Sequence, residues 1–118
     1  MRISVQSHVM LVAELIAPLV AADGAAAVHS RMKSVLDDLA QRYPKLLEDI
    51  EPGPAGTLDP GELEERALRL TGDRQQIVHA ALGELVIYLE FELQNHPQID
   101  DPEEFLDALE GLRAKIDR

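Results

Sequence analysis

The stretch from about residue 75 to 94 constrains this chain most, because apolar side chains occupy two sides of what reads as one helix. At about 100° per residue, Val78, Leu82, Leu85, Val86, Leu89 and Leu93 gather on one broad stripe, and Ile77, Ala80, Ile87 and Phe91 gather on the opposite side. A helix on the surface of a bundle needs only one apolar face. The second must be covered either within the chain, by the first helix or by the apolar turn at 46–50, or by another chain. The run from Leu89 to Leu93 also alternates with period two, and Val86, Ile87 and Tyr88 favour strands. Length decides for helix: a strand of about twenty residues is far outside the usual range, and no hairpin punctuation lies between Gly83 and Asn95.

Four further segments carry helical spacing. The first runs from about residue 4 to 22 with Val5, Val9, Val12, Ile16 and Leu19, and Pro18 is expected to kink it. Asp23 is placed to cap the second, whose Val28, Met32, Val35, Leu36, Leu39 and Tyr43 make one apolar face. Pro44 restarts the chain, and Leu46, Leu47 and Ile50 offer one more apolar turn. Residues 51–58 then read as a mobile Pro/Gly loop. Asp59, Pro60 and Glu62 open the third helix, Gly72 stops it, and Asp73 caps the long helix. Asp101, Pro102 and Glu104 repeat that opening for a last helix expected to bury Phe105, Leu109, Leu112 and Ile116. Two independent capping sequences explain the echo better than a duplication.

At 118 residues the chain suits a single helical domain, which buries about two thirds of its unfolded surface without help from metal or disulfide. It has no Cys, so disulfides, thiolate zinc sites and thiol nucleophiles are excluded, and a cytoplasmic location is expected. Eleven Lys and Arg against 22 Asp and Glu give a net charge of −11, which disfavours nucleic acid and anionic membrane and favours basic partners. The apolar run 9–20 imitates a secretory signal, but Glu14 and Pro18 interrupt it, and it reads as too short to span a membrane. No phosphate loop, nucleophile elbow or paired zinc histidines are present, and with two Tyr, two Phe and no Trp no cofactor is expected.

Several polar spacings invite chemistry. Arg74 and His79 form an Arg-x4-His pair that resembles the signature of HEPN-family domains, small all-α proteins that often dimerise and whose active members cut RNA. The resemblance implies Arg74 stabilising phosphate charge and His79 assisting proton transfer. Gln75 stands where that family usually has another polar residue after its Arg, and the match covers only this short stretch. Ala22, Asp23 and Gly24 after an apolar helix resemble the start of a TerB-like domain, which implies an acidic metal site, but the matching position is Ser30 rather than a carboxylate. His29 is similar to the exposed His of a phosphotransfer bundle, with Lys33 one position late and no following Gly. It reads better as a surface His beside Arg31. Glu92 and His96 are spaced to share a metal, yet His96 precedes Pro97 and reads as a solvated helix-end His.

These observations predict an all-α, compact four- to five-helix bundle around a long, largely apolar central helix. The expected function is a small acidic protein-interaction module that self-associates through the second face of that helix. Ile77, Glu84, Ile87 and Phe91 supply the interface, with the aromatic ring as anchor and the carboxylate setting polar specificity. The competing expectations are a HEPN-like ribonuclease using Arg74 and His79, and a phosphorelay or small-molecule sensor bundle.

Overall fold

In the computed structural model, which describes residues 5–99 and 101–110, the chain is all-α. Among the described residues six helices follow one another: α1 (Val5–Asp23), α2 (Ala25–Ala40), α3 (Pro44–Leu47), α4 (Pro60–Leu68), α5 (Arg74–Gln94) and α6 (Pro102–Ala108). No strand occurs among the described residues. The expected apolar turn after Pro44 is the single-turn helix α3.

The core is built on the pairing of α1 with α5, the most extensive helix contact in the fold. Along α1, Val5, Leu11, Val12, Leu15, Ile16 and Leu19 are buried, and α5 meets them with Val78, Leu82, Leu85, Val86, Leu89 and Leu93. Each such aliphatic side chain removed from water contributes about 1.5–3 kcal/mol before entropy is counted. Val28, Met32, Leu36 and Leu39 of α2 and Leu63 and Ala67 of α4 close the core from the sides. Pro18 lies inside α1 without ending it. At 19 residues and a mean hydropathy of 1.6, α1 is, contrary to the sequence reading, long and apolar enough to cross a bilayer by length and composition alone.

Helix boundaries show which local rules held. Asp59 accepts hydrogen bonds from Gly61 N at 3.0 Å and Glu62 N at 3.4 Å, and Asp73 accepts from Gln76 N at 3.1 Å, so α4 and α5 are capped as expected. Asp23 is not a cap. The α2 N-cap is Gly24, at φ +91°, a conformation that suits glycine, while the Asp23 carboxylate is engaged elsewhere. Asp101 adopts φ +49° and makes no side-chain cap, unlike its sequence counterpart Asp59. Phe105 and Leu109 are half-buried rather than buried, and Leu112 and Ile116 lie outside the described residues.

The Pro/Gly segment is docked and does not behave as a free linker. Gly53 N donates to Thr57 O and Gly56 N to Gly53 O, each at 2.8 Å, and Pro52, Gly56 and Leu58 are buried. His29 holds it from α2, with Nδ1 2.8 Å from Gly53 O. This replaces the exposed His29 expected from the sequence with a half-buried one whose ring is committed to a loop carbonyl.

Candidate interaction surface

Ile77, Ala80, Glu84, Ile87 and Phe91 succeed one another at intervals of three and four, which puts them within an arc of about 80° along α5. The opposite arc is spent on α1. The stripe itself is covered unevenly. Ile77 packs against the edge of the core, beside the segment that joins α2 to α3, whereas Ile87 and Phe91 are 58% and 62% exposed. Two other large apolar side chains, Met10 on α1 and Leu68 on α4, are comparably exposed among the described residues, but each stands on a different helix.

At the Ile77 end, Arg42, Tyr43, Pro44, Lys45, Leu46 and Leu70 join Ile77 around a cleft of about 360 Å³. Pro44 starts α3 there, its fixed φ and missing N–H suiting the first helical position. The walls are mainly apolar and the rim carries two cations, Arg42 and Lys45.

Glu84 occupies the middle of the stripe and is tied to the same segment. Its carboxylate pairs with the Arg42 guanidinium, and Arg42 also lies 5.9 Å from the Tyr43 ring centroid. Hydrogen bonding from the Tyr43 hydroxyl, with Arg42 adding to it, holds the Glu84 carboxyl below the usual carboxylate range. In turn, Glu84 pushes the Tyr43 hydroxyl up.

Arg74 and His79 are on α5 but are not brought together within one chain. Five residues on a helix separate them by about 140° around the axis. Arg74 Nε donates back to Leu70 O at 2.7 Å, and the exposed His79 ring stands edge-on to the buried His8, with centroids 5.5 Å apart. The Arg74 guanidinium is thus engaged with the backbone just before α5, facing away from His79.

A second polar cluster lies where the C-terminal ends of α1 and α5 approach the start of α2. His96 Nε2 is 2.9 and 3.0 Å from the two Asp23 carboxylate oxygens, and Arg31 donates to Asp23 Oδ2 at 2.6 Å. These two hydrogen bonds, His96 first, hold the Asp23 carboxyl below its ordinary value. The His96 side chain is only 8% exposed, so the solvated helix-end His expected from the sequence is instead a long-range clasp across 73 positions. Burial, and then a hydrogen bond to Glu92, push the nearby Tyr88 hydroxyl up to about 12. Glu92 and His96 therefore have different partners. Among the described residues no group of three or more His, Asp or Glu side chains is placed to hold a metal.

Sequence reasoning missed the cleft and the Asp23–His96 clasp. The cleft had one sequence cue, the basic pair Arg42 and Lys45 flanking Tyr43-Pro44 in an otherwise acidic chain. The clasp had none, since nothing local relates two residues so far apart. No family model matches this chain, and neither the curated proteins nor the solved structures include a match to it.

Proposed function

We propose that this chain is a protein-interaction module that self-associates through α5. The observation that carries the reading is the pair Ile87 and Phe91, one turn apart on the longest helix and each more than half exposed. Large apolar side chains adjacent on one face expose area that water does not favour, and such patches on soluble domains mark contact sites. An aromatic side chain at the centre of such a patch supplies most of the binding energy when covered. Within the chain the 42–46 segment reaches the stripe at Ile77 and Glu84, and Ile87 and Phe91 lie beyond it.

Light scattering after size exclusion tests this, for wild type and for Phe91→Glu, with circular dichroism as a check on folding. Because Phe91 is exposed in the single chain, the substitution should leave the helical signal intact. A wild-type dimer should become a folded monomer, with a loss on the order of 2 kcal/mol or more per anchor. A wild type that stays monomeric at millimolar concentration, or a dimer indifferent to the substitution, refutes self-association through this face.

A further inference from the structure

Resting on the self-association reading, we infer that the second copy docks antiparallel along α5, seating Phe91 of each chain in the 42–46 cleft of the other. The cleft and the exposed ring lie on one stripe of one helix, fourteen residues apart, about 21 Å along the axis and within about 40° around it. Glu84 is midway between Ile77 and Phe91. A twofold axis crossing near Glu84 therefore brings Phe91 of one chain opposite the Ile77–Ala80 turn of the other, and does so twice. This is the isologous condition: one surface carries both the projection and its receptacle.

Size and charge agree with that occupant. An apolar cavity of about 150 Å³ accepts a benzene molecule, so a 360 Å³ cleft admits a phenyl ring together with part of its flanking chain. Beside the Arg42–Glu84 pair the rim carries the cation Lys45, in a chain whose net charge is −11. The incoming half of α5 carries Glu90 and Glu92, and the negative field of that segment favours its approach to Lys45. At the axis, two Arg42–Glu84 pairs meet with alternating sign. The contact strip is about 30 Å long and roughly 10 Å wide, on the order of 600 Å² over both copies, which is the scale of a weak, transient contact. A reversible, concentration-dependent association is expected.

Because the chain has no Cys, site-directed cross-linking reads the register directly. Ile77→Cys and Phe91→Cys variants, checked for folding by circular dichroism, are treated with a short bismaleimide separately and as an equimolar mixture. In the inferred register each residue is about 21 Å along the axis from its own copy, beyond the reagent's reach, while 77 and 91 of different chains are adjacent. A cross-linked dimer should form only in the mixture. Lys45→Glu should weaken the wild-type association roughly fivefold, the scale of one exposed ion pair. If wild type dimerises but Phe91→Cys cross-links to itself, if the mixture still associates by light scattering yet does not cross-link, or if Lys45→Glu changes nothing, the register is overturned while self-association stands. A wild-type monomer at all concentrations overturns both.

Discussion

Replacing Gly56 with Ala tests whether the Pro/Gly segment is part of the core or a cover lying loosely on it. Two costs add at this position. Gly56 has φ +88°, where a Cβ costs roughly 1–2 kcal/mol. The added carbon would also stand 2.9 Å from Met32 Cγ and 3.1 Å from Val28 Cγ1, on two buried residues of α2. Cγ is not the free end of the Met32 side chain, so relief requires shifting either that residue or the loop, an overpacking cost of about 1–3 kcal/mol. Reduced freedom of the unfolded chain returns roughly 0.4–1 kcal/mol. The net loss should be about 2–4 kcal/mol. Gly72→Ala is the control, because φ is +81° there and nothing lies within 4 Å of the added carbon. It should lose only about 1 kcal/mol. Urea unfolding followed by helical circular dichroism gives both numbers, with an unchanged denaturant slope showing that the unfolded state is not at issue. Equal losses for the two variants would mean that the loop yields freely, and the docking of 51–58 on α2 would contribute nothing to the fold.

Two further outcomes follow from the helix ends. The Asp23 carboxyl is held below its ordinary value of 3.8 by His96 and then Arg31, so the folded chain binds that proton more weakly than the unfolded one. Its stabilisation is complete above about pH 4 and is lost as the pH falls through the lower folded value. The urea midpoint of wild type should accordingly drop more steeply between about pH 4 and pH 2 than that of Asp23→Asn, and parallel profiles would remove the clasp from the account. Asp59→Ala should cost about 1 kcal/mol through its lost cap, whereas Asp101→Ala, which removes no cap hydrogen bond, should be close to neutral. Equal effects in thermal unfolding would contradict that distinction.

The all-α class and the core stripe of α5 were legible because burial follows helical period wherever an element has one covered side. Val78, Leu82, Leu85, Val86, Leu89 and Leu93 are buried as their spacing required. Caps were legible only where no stronger partner competed. Asp59 and Asp73 serve backbone N–H groups of the next turn, but Asp23, in the same local setting, turns to Arg31 and to His96, 73 positions downstream. Charge-assisted hydrogen bonds are roughly twice as strong as neutral ones, so a carboxylate within reach of a guanidinium and an imidazole abandons the cap. His29 and His96 were misread for the same reason: a short-range window shows which residues are polar, while the loop carbonyl and the carboxylate that bury them come from elsewhere in the chain.

The second stripe of α5 marks where local reasoning ends and length takes over. A helix of 21 residues extends about 31 Å, and the 42–46 segment reaches its outer face only near Ile77 and Glu84. α6 packs on α5 as well, yet Ile87 and Phe91 stay exposed. The sequence pattern alone treats Ile77, Ile87 and Phe91 as equivalent, because all three are large, apolar and on one side of the helix. Folding separates them: Ile77 lines a cleft, Ile87 and Phe91 stay exposed, and the Arg42–Glu84 pair lies between. An interface made from one helix therefore needs no symmetry in its sequence. The proposed dimer needs only that the covering elements stop before the helix does, so that the uncovered half of α5 can meet the cleft beside the covered half of a second copy.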